Sequence, residues 1–400
     1  MPVYQYTAKN VSGEVVTGKL TSENQQELKK SLYDKGLFLT KSKEQGSGLS
    51  LDKIFNRVKL KEFVIFCRQF SVILGAGLTV VEGVSIMSDQ TESKKLREVL
   101  LDVHEQLLKG SVFSEALKAH SDVFPEFFIN MIQVGEASGS LELILDRLAE
   151  YYEKENKMRK KVKGALTYPI VVIIVAIGVI SLLILKVLPM FADMLSGMGG
   201  ELPLLTKIMM NISNFMAKNF LLLTLVNVSV VGGLAYYFTT EDGRYKWDAI
   251  KLNAPLIKKL TVKVVTSKFA RSMGILLKSG IPIMNAMDIM TGLVGNKIIE
   301  EKFKGCSEEV RGGKGISKPL KNMNIFPPML IHMVSVGENT GELDDMLTRT
   351  AVFFDEEVEE TVEQLTTLIE PIMIIVLGSI VAVIILAVML PMVSVMQNIQ

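Results

Sequence analysis

The chain has 400 residues, 48% of them hydrophobic, and a formal net charge of +1. That length accommodates two or three domains of about 100–200 residues, and the near-neutral balance argues against a nucleic-acid binder, which would carry a basic face. Cys67 and Cys306 have no CxxC neighbours, so they indicate neither a zinc ribbon nor a disulfide scaffold and read as buried small apolar residues.

The first part of the chain, residues 1–45, reads as a small α/β appendage. Val3 to Ala8 and Glu14 to Leu20 have strand character around a turn at Asn10 to Gly13. Ser22 starts a helix through Leu32, Gly36 ends it, and an extended LFLT follows. Lys41 to Ser50 reads as a polar, Gly- and Ser-containing linker, and the domain division places the linker at 46–58. The start, MPVYQYTAKN, is polar, which predicts no cleavable signal peptide.

From Leu60 the period becomes helical. Phe63, Phe66, Phe70, Ile73 and Leu74 recur at three- and four-residue spacing, a stripe suited to bundle packing. Gly77 is where such a helix would end in a left-handed residue. The segments Lys94 to Leu108, Val112 to Ala119, Glu126 to Val134 and Leu141 to Glu153 continue a first helical domain, 59–163.

Three uncharged runs follow: 21 residues from Ala165 to Leu185, 22 from Asn219 to Thr240 and 30 from Pro371 to Gln400. A helix crossing the hydrocarbon core needs about 20 such residues. They predict spans at 165–188, 218–240 and 370–396, an outer connection at 189–217 and a second helical domain at 241–368. The fold class is therefore mainly α: two repeated cytoplasmic helical-bundle domains, three transmembrane helices and the small appendage.

The word "repeated" rests on a doubled motif. IQVGEASGSL at Ile132 to Leu141 returns as VSVGENTGEL at Val334 to Leu343, an offset of 202. Phe124-Pro125 falls on Phe326-Pro327, Pro169 on Pro371, and Leu188-Pro189-Met190 on Leu390-Pro391-Met392. With one residue inserted, FCRQFSVILGAGL (Phe66 to Leu78) aligns with FARSMGILLKSGI (Phe269 to Ile281), which pairs Arg68 with Arg271 and Gly77 with Gly280. If both halves are built alike, the middle run must bring the chain back across the membrane. Lys154, Lys157, Arg159, Lys160, Lys161 and Lys163 precede the first span, Arg244, Lys246 and Lys251 follow the second, and the connection holds only Lys207. The positive-inside rule then predicts cytoplasmic domains and an outer C-terminus. Pro169 and Pro371 are read as kinks in helices arriving from the domains.

No catalytic constellation is found. Gly312-Gly313-Lys314-Gly315 lacks the spacing and hydroxyl of a phosphate-binding loop, and His104, His120 and His332 form no metal pair. The expectation is no enzyme, no cofactor and no metal site. Lys186 sits at the outer end of its span, where it can snorkel. Without further charge inside the spans, a membrane transporter or channel with large cytoplasmic domains is the weaker alternative.

The tandem elements FCRQ/FARS with GAGL/KSGI, then FPEFFINMIQVGEASGSL and FPPMLIHMVSVGENTGEL, then the YP and EP pairs ahead of spans, resemble the bacterial type II secretion F family. The resemblance covers essentially the whole chain. It implies a platform protein of a type II secretion or type IV pilus machine, oligomeric, in the inner or only cell membrane. The implied partners are a hexameric cytoplasmic assembly ATPase, a retraction ATPase in some systems, pilins or pseudopilins, other inner-membrane machine components and the lipid bilayer.

The family motif falls on Gly135, Glu136 and Gly139, and on Gly337, Glu338 and Gly341. One reading is a tight turn, with glycines at positive φ and Ser138 or Thr340 capping the next helix. A turn does not require glutamate, so the other reading gives Glu136 and Glu338 a packing or partner contact. Arg68 and Arg271, arginines in otherwise apolar helix faces, call for carboxylate partners. The halves also diverge: Lys154, Lys157 and Lys161 fall on Glu356, Glu359 and Glu363. Each set forms one charged stripe, and the sign reversal at matched positions predicts that the two stems face each other near the membrane, within a chain or between protomers, with anionic lipid as the alternative partner of the basic stem.

Overall fold

The computed structural model describes residues 3–9, 15–21, 29, 32–33, 38–45, 58–197 and 203–398. Three strands, β1 (Val3–Lys9), β2 (Val15–Thr21) and β3 (Phe38–Gln45), form an antiparallel sheet in the order β2-β1-β3. β3 continues through Lys41–Gln45, which composition alone read as linker; its polar residues pair along β1 down to Val3↔Gln45. The expected turn at Asn10 to Gly13, most of the helix from Ser22 to Leu32, and the linker up to residue 57 lie outside the described residues.

The first bundle comprises α1 (Leu60–Gly75), α2 (Val80–Gln90), α3 (Lys94–Leu108), α4 (Phe113–Lys118), α5 (Glu126–Ser138) and the start of α6 (Leu141–Leu182). Its core is aromatic. Phe63, Phe66, Phe70, Phe113, Phe124 and Phe128 are buried, with neighbouring ring centroids 5.1–6.2 Å apart. These are the offset separations that aromatic rings favour. α2 starts with a capping box in which the Thr79 side chain accepts from Glu82 N and Glu82 Oε2 accepts from Thr79 N at 2.9 Å.

A one-turn π-helical stretch, Leu183–Val187, joins α6 to α7 (Leu188–Gly197), and the chain returns through α8 (Leu204–Lys218) and α9 (Phe220–Tyr237). The predicted outer connection is thus largely helical. α8 is tied to both long helices: Thr206 Oγ1 donates to Ala387 O at 2.6 Å and Ser213 Oγ to Ile184 O at 2.7 Å. Buried hydroxyls need such acceptors, and backbone carbonyls inside apolar helices supply them.

The second bundle runs α10 (Glu241–Asn253), α11 (Pro255–Lys278), α12 (Ile283–Leu293), α13 (Lys297–Arg311), α14 (Ser317–Asn322), α15 (Pro328–Thr340) and the start of α16 (Leu343–Asn398). Phe269, Phe303 and Phe326 form its smaller aromatic centre, at 5.0–5.9 Å. Gly77 (φ 85°) and Gly280 (φ 79°) end α1 and α11 in the left-handed region expected of them.

Among the described residues two helices are long and apolar enough to cross a membrane: Leu141–Met194, taken through the π turn, and Leu343–Leu390. A third candidate is the α8–α9 pair, bent by 77°. Both long helices begin in a bundle and continue unbroken through Pro169 and Pro371 into their apolar halves. Cys67 and Cys306 are buried, and burial pushes the Cys306 thiol up to about 12. Neither is a nucleophile at neutral pH.

Candidate functional site

The doubled corner joins α5 to α6 and α15 to α16, and its three fixed residues do three different jobs. Gly139 (φ 68°) and Gly341 (φ 78°) are the left-handed C-caps that turn the chain. Gly135 and Gly337 lie a turn earlier, inside their helices, where the outgoing helix crosses close over them. A Cβ on Gly135 would stand 3.1 Å from Leu141 Cα; on Gly337 it would stand 2.7 Å from Leu343 Cα. The expectation of positive φ therefore holds for one glycine of each corner, and the other is there for close approach.

That geometry ranks the substitutions. Gly337→Ala forces α16 away from α15 and is expected to cost about 1–3 kcal/mol by overpacking. Gly135→Ala, with the looser contact, should cost less. Thermal unfolding of the full chain in detergent, compared among wild type and the two variants, checks the order.

Ser138 does not cap the next helix through its side chain, whereas Thr340 Oγ1 accepts from Glu342 N, the residue before α16, at 3.4 Å. Their hydroxyls donate backward, Ser138 Oγ to Val134 O at 2.8 Å and Thr340 Oγ1 to Val336 O at 3.0 Å. The following helix α6 has no side-chain cap at all. Backward bonding satisfies the hydroxyl locally.

The glutamates reach across to a different helix. Glu136 Oε1 accepts from Phe113 N at 2.7 Å and Oε2 from Ser114 N at 3.0 Å. Glu338 accepts from Ile316 N and, at 3.0 Å, from Ser317 N. These N–H groups open the short helices α4 and α14, whose N-cap residues are Val112 and Ile316. Aliphatic residues cannot satisfy the orphan donors of a first turn. A carboxylate from the corner does so instead, with the favourable sign for a helix N-terminus. Each corner thus fastens three helices: the one it ends, the one it begins and the one it caps.

Arg68 and Arg271 tie the first helix of each bundle to its stem. Arg68 Nε and Nη2 bind Glu153 at 2.8 and 2.9 Å, and Nη1 binds Asp146 at 2.7 Å. Arg271 Nη2 engages Asp355, which also accepts from Ser267 Oγ. Glu153 and Asp355 are themselves 202 positions apart, so both anchor partners were present in the repeat, though neither was singled out by sequence. Their surroundings differ: Arg68 is 41% exposed and Arg271 8%. The Arg68 hydrogen bond holds the Glu153 carboxyl below its ordinary range.

The stem stripes meet at one point. Lys161 pairs with Glu359 across α6 and α16. Lys154 instead binds Glu150 on its own helix at 2.8 Å. Among the described residues Lys157, Glu356 and Glu363 make no ion pair, although Glu363 lines the gap beside Lys161 and Glu359. Higher up, Arg147 Nη1 donates to Ser279 Oγ at 2.7 Å, joining the two bundles near the end of α11. No group of three or more His, Cys, Asp or Glu suited to a metal occurs among the described residues.

Paired helical bundles, each fastened at a Gly-Glu-x-x-Gly corner and each continuing as one helix into an apolar span, define a duplicated membrane protein. Comparison with known proteins agrees. The family described as type II secretion system protein F matches residues 66–189 and again 269–391, and its N-terminal domain matches 1–43. The chain belongs to this family. It is 39% identical over 397 residues to the type IV pilus assembly protein PilC of Thermus thermophilus, covering 98% of both chains. It is 34% identical over 399 residues to PilC of Myxococcus xanthus, covering 99% of this chain and 96% of that one. It is 28% identical over 402 residues to type II secretion system protein F of Vibrio cholerae, covering 98% of each.

Proposed function

We propose that the chain is the integral membrane platform of a type IV pilus or type II secretion machine. It couples a cytoplasmic assembly ATPase to the insertion of pilin or pseudopilin subunits into a fibre, and it carries out no catalysis of its own. The observation that carries this reading is the near full-length similarity to the pilus assembly proteins of Thermus and Myxococcus. The mechanical design supports it: each bundle is rooted in a helix that continues as its own span, so a displacement of the bundle moves the span with it. The basic residues before the first span and after the second support cytoplasmic bundles, three crossings and an outer C-terminus.

Affinity purification of the tagged chain from its own cells tests the reading. The expected result is recovery of a secretion-type ATPase together with prepilins. Substrate flux through proteoliposomes of the chain alone, with no ATPase recovered, would return it to the transporter class.

In this reading the Lys161–Glu359 contact sets the register of the two stems. An ion pair this exposed contributes only about 0–1 kcal/mol, so its loss should alter stem alignment more than stability. Lys161→Glu and Glu359→Lys are each expected to lower fibre assembly, and the two together to restore it. A double variant no better than either single one would remove the pairing.

A further inference from the structure

Below the apolar half of α6, the stem and α11 leave a cleft of about 780 Å³ between them, within the about 300–1,000 Å³ range of small-ligand sites. Arg159, Lys160 and Lys163 line it from α6, Lys59 and Lys61 from the start of α1, and Lys251 from α10. Among the described residues the one carboxylate in its wall, Glu155, is held by Arg159 Nε at 2.8 Å. Lys251 is paired with Asp248. Among the described residues Lys59, Lys61, Lys160 and Lys163 have no carboxylate within 4.0 Å of their ammonium groups. Between these cations the lining is apolar, with Val162, Leu260, Val264, Val265 and Val294.

The repeat shows that the fold does not need this charge. The positions on α16 matched to Arg159, Lys160 and Lys163 are Thr361, Val362 and Leu365. Nor is the charge a share of a basic surface, since the whole chain carries only +1. Its height along the stem is informative. Lys160 precedes Ala165, where the uncharged run begins, by five residues, or about 7.5 Å of helix at 1.5 Å per residue. That is the depth of phospholipid headgroups beside a span.

We propose that this cleft binds the headgroup of an anionic phospholipid from the leaflet adjoining the bundles. The unpaired lysines meet the phosphate, and the valines and Leu260 meet the glycerol and upper acyl carbons. A basic pocket with apolar walls at the end of a span suits an anionic lipid in both respects. A soluble acidic peptide would use the charge and leave the apolar lining wet.

The chain has a single tryptophan, Trp247, whose ring lies 5.7 Å from Lys251 Nζ at the edge of the cleft. The full chain is placed in phosphatidylcholine nanodiscs containing either brominated phosphatidylglycerol or brominated phosphatidylcholine at equal fraction, and Trp247 quenching is read. The expected result is a preference for the anionic lipid of about fivefold or more, the scale of one lysine near a charged surface. The preference should fall towards unity in the double variant Lys160→Gln/Lys163→Gln and survive in Lys160→Arg/Lys163→Arg. Equal quenching by the two lipids in wild type, or an unchanged preference in the Gln variant, would overturn the proposal. So would binding of a labelled oligo-glutamate peptide that the Gln variant loses, with no lipid preference, which would assign the cleft to an acidic protein.

Discussion

Replacing Arg271 by Met is expected to destabilise the second bundle by about 3–5 kcal/mol, because it strips the partner from a carboxylate held between two helices. Asp355 loses its guanidinium and keeps only the Ser267 hydroxyl. The matched change Arg68→Met should cost no more than about 1 kcal/mol, since that site is 41% exposed and water can replace the arginine. The contrast lies in burial rather than in chemistry. Thermal unfolding of the full chain followed by Trp247, which sits in α10 of the second bundle, should show a large shift for the first variant and little for the second. Adding Asp355→Leu to Arg271→Met should recover most of the loss by removing the stranded charge. The Arg68 variant has its own pH signature. The folded-state Glu153 carboxyl is depressed, so its contribution is full above the ordinary carboxylate range and fades as pH falls through the lowered value. The small gap between wild type and Arg68→Met should therefore close in acid.

Glu338→Ala is expected to cost about 2–3 kcal/mol, since two first-turn N–H groups lose a charged acceptor at once. Glu338→Gln should cost less, because its amide oxygen still accepts one of the two bonds while its NH2 faces the other donor. Glu136 should give the same order through Phe113 and Ser114. The readout is thermal unfolding beside the amount of fibre made in cells. Loss of fibre in proportion to loss of stability, with Gln between wild type and Ala, is the expected pattern. Fibre lost in a fully stable Gln variant would mean that the glutamates also contact a partner.

Much of this was written in the chain. The aromatic stripe from Phe63 to Phe70, the helix from Lys94 to Leu108 and the apolar halves of α6 and α16 follow from period and hydropathy alone. The repeat located both corners and both arginines. What the glutamates hold was not legible, because their partners are backbone N–H groups, and those carry no residue signature. The aliphatic caps Val112 and Ile316 are the one trace of it: a helix starting on such a residue needs an acceptor from elsewhere. From sequence α8 reads as connection, since Thr206, Asn211, Ser213 and Asn214 dilute its hydropathy. Two of these, Thr206 and Ser213, are the hydroxyls that pin it to the long helices. The π turn at Leu183–Val187 has no signal in an apolar run. Of the matched stem charges, only Lys161 and Glu359 meet among the described residues, and Lys154 finds a nearer carboxylate one turn back on its own helix.

Coupling to one motor, as proposed, requires both bundles to face the same compartment. The native cysteines are buried, so a single cysteine introduced at an exposed position can be read without removing them. Ala137→Cys and Asn339→Cys stand at matched points of the two corners, and Lys207→Cys stands on α8; all three positions are exposed. Spheroplasts are treated with a membrane-impermeant maleimide before and after lysis. The expected result is that the cysteine at 207 labels in intact spheroplasts and that those at 137 and 339 label only after lysis. Labelling of either corner in intact spheroplasts would contradict it.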